Sequence, residues 1–247
     1  MLSKLTAITL YKNDGSEEIK RYDNRISKID LSNSRITAIK GLEKLVNLTE
    51  LSLAHNKIAQ IDNLNNLTKL RKLDLSCNKL TRICPLSHLT CLEELSLEFN
   101  CIEKIEHLEG AVHLNILHLN DNKITKIEGL DTLINLRELS LEHNLISKIE
   151  GLHSLINLNS LYLEYNRIST MEGLSALLSL EELYLNNNRI RKIEGIDTLV
   201  RLKRLFLNNN QITKKEGLDT LVNLKKLDVS GNSFMFFLSE DQTQKYR

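Results

Sequence analysis

The sequence predicts an α/β solenoid, a right-handed horseshoe of stacked coils with a parallel β-sheet on its concave face and turns and short 3₁₀ segments on its convex face. Three observations carry this. First, the frame L-x-x-L-x-L-x-x-N-x-I-x-x-I-x-x-L-x-x-L-x-x, written out by residues 114–135, starts at Ile26 and again at Leu48, Leu70, Leu92, Leu114, Leu136, Leu158, Leu180, Leu202 and Leu224, ten times without insertion or deletion. Self-similarity at such a period is the mark of a stacked repeat array. Second, apolar spacing changes within each copy: Leu117 and Leu119 alternate as in a short strand, whereas Ile124, Ile127, Leu130 and Leu133 recur every third residue, the spacing of tight three-residue turns. Third, the ninth place holds Asn56, Asn78, Asn100, Asn122, Asn144, Asn166, Asn188, Asn210 and Asn232 among apolar neighbours, with Ser34 in the first copy. A buried amide must find backbone donors and acceptors, so a ladder linking adjacent coils is expected.

Residues 1–25 precede the repeat. LTAITLYK is rich in β-branched residues, Asn13, Asp14, Gly15 and Ser16 form turns, and EEIKRY can return as a second strand. A β-hairpin covering the open end of the first coil is expected, with Tyr11 and Tyr22 as lids. Residues 26–233 form the solenoid. Gly41, Gly129, Gly151, Gly173, Gly195 and Gly217 share its sixteenth place, where a tight turn suits glycine, and Pro85 takes that place once. Ala111 stands in for a core leucine and Lys215 for a core isoleucine, so Lys215 is expected to reach for the surface. Residues 234–247 are expected to close the last coil with Phe234, Met235, Phe236, Phe237 and Leu238, followed by a polar tail.

Charge is nearly balanced, 33 basic against 32 acidic side chains, so no general polyanion-binding field exists and no nucleic acid is expected as partner. Its distribution is uneven. Residues 1–91 carry 15 basic and 9 acidic side chains (+6), residues 92–179 carry 6 and 14 (−8), and residues 180–247 carry 12 and 9 (+3). No apolar run of membrane-spanning length and no cleavable leader pattern is present, so a soluble, intracellular protein, cytoplasmic or nuclear, is expected, without a membrane partner and as a monomer. Cys77, Cys84, Cys91 and Cys101 fall within 25 residues but include no C-x-x-C pair and occupy four different places in the frame. Reduced thiols are expected, not a metal centre.

Ten strands at about 4.8 Å give a concave sheet roughly 43 Å long. Its outward columns can be read directly. The fifth place runs Asp30, Ser52, Asp74, Ser96, His118, Ser140, Tyr162, Tyr184, Phe206 and Asp228, and the seventh includes Glu98, Asn120, Glu142 and Glu164. The eighth, at the rim, includes Phe99, Asp121, His143 and Tyr165. Of eleven Phe and Tyr residues, the five outside the two caps and the tail all fall on these columns, although Leu and Ile suffice to fill the core. With Glu94, Glu98, Glu138, Glu142, Glu164 and Glu182 they describe an acidic, aromatic-studded groove for a protein surface of basic or mixed charge. The competing reading is that Tyr162, Tyr184 and Phe206, lateral neighbours in one column, stack to stabilise the sheet. His118 beside Ser140 and Asp121 beside His143 permit a forced hydrolase or metal reading, yet an open sheet supplies neither an oxyanion hole nor a water-excluded pocket. The expectation is therefore no catalysis, no cofactor and no metal. Arg201, Lys203, Arg204, Lys225 and Lys226 could form a second docking point for an acidic segment.

The I-x-x-I-E-G-L-x-x-L-x-N-L pattern of KITKIEGLDTLINLREL and RIRKIEGIDTLVRLKRL closely resembles the short leucine-rich-repeat class that includes the nuclear regulatory subunit of protein phosphatase 1. The resemblance covers residues 26–238. It implies a noncatalytic regulatory subunit that grips a Ser/Thr phosphatase catalytic subunit through Glu98, Phe99, Glu142, Tyr162, Glu164, Tyr184 and Phe206. The same class holds internalin-type adhesins and axonemal or ciliary structural subunits, which stand as alternatives.

Overall fold

A computed structural model describes residues 5–234. Three residues from each repeat form a strand: Lys28–Asp30 (β3), Glu50–Ser52 (β5), Lys72–Asp74 (β6), Glu94–Ser96 (β7), Ile116–His118 (β8), Glu138–Ser140 (β9), Ser160–Tyr162 (β10), Glu182–Tyr184 (β11), Arg204–Phe206 (β12) and Lys226–Asp228 (β13). They pair in parallel in sequence order, each in a 22-residue register, so that Leu117 lies beside Leu139 and Leu139 beside Leu161. The middle residue of each strand points into the coil, and the outer two face the concave surface.

One continuous column of leucine and isoleucine fills the coil interiors, the apolar frame residues from Ile29 to Ile212 lying almost wholly out of solvent. Ala111 is fully buried at its substituted place, and Lys215 stands exposed, as snorkelling requires. On the convex side the chain takes turns; a 3₁₀ helix is assigned only at Leu42–Lys44 among the described residues. No helix among them is long and apolar enough to cross a membrane.

The asparagine ladder holds the coils in step. Asn122 Oδ1 accepts from the Ile102 N–H one coil back at 2.9 Å, while its amide donates to the carbonyls of Leu97 in that coil and of Leu119 in its own at 3.0 and 3.1 Å. The same bonds recur at each asparagine of the ladder, from Asn56 to Asn232. A buried side chain thus satisfies backbone groups that tight turns leave without strand partners.

At the N-terminus, Leu5–Lys12 (β1) and Glu17–Asp23 (β2) pair antiparallel around the Asn13–Ser16 turn. β1 also pairs antiparallel with Ile36–Lys40 (β4), which gives a three-stranded sheet separate from the ten-stranded one. Alternation along β1 buries Ile8 and Leu10 completely. Tyr22, opposite Thr6 on the same face, packs on the core. Tyr11 takes the other face, where Lys40 Nζ sits 5.1 Å from its ring centroid; the strand period, which separates residues 8 and 10 from residue 11, denies it the lid position. At the other end Phe234 packs against the core, and the closing residues expected after it, Met235 to Leu238, lie outside the described residues.

Two left-handed positions recur along the solenoid, the one at the sixteenth place interrupted by Pro85 in the third coil. At the sixteenth place every glycine has positive φ, and Asn63 (65°) and His107 (64°) adopt the same conformation. A Cβ on Gly173 would lie 2.1 Å from the Ile149 carbonyl oxygen of the preceding coil, so glycine is required there by both angle and space. At the eighth place nine non-glycine residues, from Asn33 to Asn209, have φ between 52° and 57°. There the residue N–H still reaches the next coil, as in Asp121 to the Glu142 carbonyl at 3.0 Å, before the chain leaves the sheet.

Candidate protein-binding surface

The concave face is built from the third, fifth, seventh and eighth places, and the lateral register decides which charges are already spent. In the third column, Lys28 pairs with Glu50 at 2.7 Å, Lys72 with Glu94 at 2.5 Å and Arg204 with Glu182 at 2.6 Å. Glu138 lies 3.2 Å from His118 Nε2. Three carboxylates expected to face a partner, Glu94, Glu138 and Glu182, therefore have partners within the sheet. The three Lys and Arg pairings arise because residues 22 apart are neighbours across parallel strands, and the His118–Glu138 contact, 20 apart, is a diagonal between the fifth and third places.

The seventh column is different. Glu98, Glu142 and Glu164 each bury one carboxylate oxygen, Oε2, with no hydrogen-bond partner. Burial pushes all three carboxyls above the usual range, and Glu164, with the charge of Glu142 in the preceding coil adding to the effect, is pushed up to about 7. A half-buried carboxylate with one oxygen left unpartnered is an energetic cost that an incoming cation would relieve.

Alongside runs the rim column. Phe99 and Tyr165 are 52% and 49% exposed and sit in left-handed backbone, with φ of 54° and 55°. Bulky side chains rarely occupy that region, and asparagine, which does so readily, stands at the equivalent Asn33, Asn187 and Asn209. His143 stacks on Tyr165 with ring centroids 4.2 Å apart and planes within 10°. Asp121, between the coils of Phe99 and His143, accepts from the Asn120 amide at 3.1 Å.

Farther along the fifth column, Tyr162, Tyr184 and Phe206 form one stack, with centroids 4.8 and 4.7 Å apart. Lys226 Nζ lies 5.0 Å over the Phe206 ring, and Tyr184 Oη donates to Glu182 at 3.2 Å. All three rings are half-buried, so the stack joins strands as well as presenting an aromatic edge.

The remaining sequence candidates separate clearly. A shallow depression of about 510 Å³ over β3 to β7 has no aromatic lining and contains the Lys28–Glu50 and Lys72–Glu94 pairs, so its charges are internally satisfied. His118 is the lateral neighbour of Ser140, but its ring faces Glu138 while Ser140 is buried, which leaves no nucleophile–base contact. The four cysteines are unpaired, Cys84 being buried enough that its thiol is pushed up to about 12. Among the described residues no group of three or more His, Cys, Asp or Glu stands close enough to hold a metal.

An open parallel solenoid presenting rings and carboxylates from the inside of its arc is an interaction scaffold. The chain belongs to the leucine-rich-repeat family: the model for paired leucine-rich repeats matches residues 24–66, 68–110, 112–154, 134–176, 156–198 and 178–220. Among solved structures, a leucine-rich-repeat protein of Leptospira interrogans is 31% identical with a TM-score of 0.80, over 87% of this chain and 57% of that one. This chain thus spans little more than half of that protein. Internalin C2 of Listeria monocytogenes is 28% identical with a TM-score of 0.68, over 85% of each chain. The functional domain of InlJ from the same organism, at 21% identity and a TM-score of 0.62 over 93% of this chain and 63% of that one, shares the fold. Comparison with curated proteins gives no match.

Proposed function

We propose that the chain is a noncatalytic scaffold that takes up a protein partner on the concave face between β7 and β12, through basic side chains set against Glu98, Glu142 and Glu164. The observation that carries this reading is the pairing of two costs in one strip. Phe99 and Tyr165 hold exposed rings on backbone that disfavours them, beside carboxylate oxygens that have no partner. The His143 stack holds the Tyr165 ring, but stability of the free chain accounts for neither the exposed Phe99 ring nor the unpartnered oxygens, whereas a cationic partner group would be attracted by both the rings and the carboxylates. Glu94, His118, Asp121, His143, Tyr162, Tyr184 and Phe206 complete the surface. A Ser/Thr phosphatase catalytic subunit is the first partner to test, on the strength of the repeat-class resemblance.

The test replaces Phe99 and Tyr165 together with asparagine. The variant should unfold at the same temperature as the parent or higher, because asparagine suits the left-handed backbone, yet capture less than about a tenth as much partner from extract or bind purified phosphatase catalytic subunit that much more weakly. Unchanged capture would refute the reading. The adhesin reading, supported by the likeness to internalin C2, predicts capture from the extracellular proteins of a host rather than from the producing cell.

A further inference from the structure

Away from the concave face, the twenty-first place of the frame carries Val112, Ile134, Ile156, Leu178, Val200 and Val222 in six successive coils, each 37–80% exposed. The residues on either side in the frame, such as Leu133 and Leu136, are fully buried, so the core is complete without this row. One residue per coil at about 4.8 Å makes a strip roughly 24 Å long. Six aliphatic side chains about half exposed leave on the order of 500 Å² of apolar surface, at the upper end of what a lone chain shows water. With its borders the strip approaches the ~800 Å² per partner of a stable interface.

The borders decide what covers it. As the chain passes around a coil it meets exposed aspartates three residues before the strip, Asp131, Asp197 and Asp219, and exposed basic residues one to three residues after it, Arg201 in the same coil and Arg137 and Lys225 at the start of the next. A two-fold axis parallel to the strip sets each coil against the same coil of a second copy and exchanges the borders, so every aspartate meets a basic residue in register. An axis across the strip would set acid against acid.

We propose that this flank joins two copies of the chain side by side, N-termini at the same end, with the two concave faces opening in opposite directions. The proposal stands apart from the reading of the concave face and replaces the expectation of a monomer. Sedimentation equilibrium at about 1–100 µM should give twice the 28.4 kDa chain mass. Ile134→Lys with Leu178→Lys should halve that mass while leaving the far-ultraviolet circular dichroism of the folded chain unchanged, both side chains being exposed in the single chain. Asp131→Arg should weaken association at least about tenfold, and adding Arg137→Asp should restore it. With Cys77, Cys84, Cys91 and Cys101 replaced by alanine, Ile134→Cys and Val200→Cys should each oxidise to a disulfide-linked pair, as only the parallel arrangement allows at both positions. A 28.4 kDa species at about 100 µM, a double-lysine variant that stays paired, or cross-linking at only one of the two positions would overturn the proposal.

Discussion

Replacing Glu164 with glutamine should stabilise the protein above neutral pH and do nothing in acid. Glu164 ionises near 4.5 in an unfolded chain and at about 7 in the folded one, chiefly because burial penalises the charged form. Between those values the folded state holds a proton that the unfolded state has lost, so this carboxyl's stability contribution is fully present below pH 4.5 and is lost as pH rises through 7. The interval is worth at most ~3.4 kcal/mol at 1.36 kcal/mol per pH unit, and partial exposure screens it to ~1–2 kcal/mol. Glutamine resembles the protonated acid and has nothing to lose. Urea unfolding followed by circular dichroism should therefore place Glu164→Gln ~1–2 kcal/mol above the parent at pH 8, with the two curves converging near pH 4.5. A difference independent of pH, or a variant less stable at pH 8, would refute the argument that burial dominates this group.

Other consequences follow from the same geometry. Asn122→Ala orphans the Ile102 N–H and removes one of two amide donors from each of the Leu97 and Leu119 carbonyls, which keep Asn100 and Asn144, and should cost ~1–3 kcal/mol in denaturant unfolding. Gly173→Ala drives a Cβ against the Ile149 carbonyl at positive φ and should cost at least ~2 kcal/mol, visible as a lowered melting temperature. Tyr184→Ala breaks two ring stacks at once and should cost ~1–3 kcal/mol, whereas Tyr165→Ala, whose ring is exposed, should cost less than ~1 kcal/mol by the same melting assay.

The repeat made the architecture legible because a fixed 22-residue step gives coil number and lateral register together. Asn122 among leucines could only be a bridging amide, and Leu117 could only pair with Leu139. The candidate surface was legible as columns but not as energies. Glu94 and Glu164 look alike in the sequence, yet Glu94 sits in a third column whose neighbour is Lys72, and Glu164 in a seventh column whose neighbour is Glu142. Reading the third column laterally would have separated them. The left-handed backbone at Phe99 and Tyr165 left no signal at those residues; the asparagines at 33, 187 and 209 carried it. The apolar flank was hidden because Ile134 and Ile156 directly follow the frame leucines Leu133 and Leu155 and pass for core, although the tight turn that sends the leucine inward sends its neighbour toward water.

The amide rungs also govern how such a chain can change length. Excising residues 114–135 would bring Asn144 beneath the backbone groups of coil four that Asn122 now serves, with every later rung undisturbed. Removing one residue fewer would turn each subsequent asparagine away from its acceptor and every inward leucine toward water. Growth and loss are confined to whole multiples of the repeat, so the reach of the molecule is adjustable in steps of one strand, each arriving with four new side chains for the concave face and its own fastening already in place.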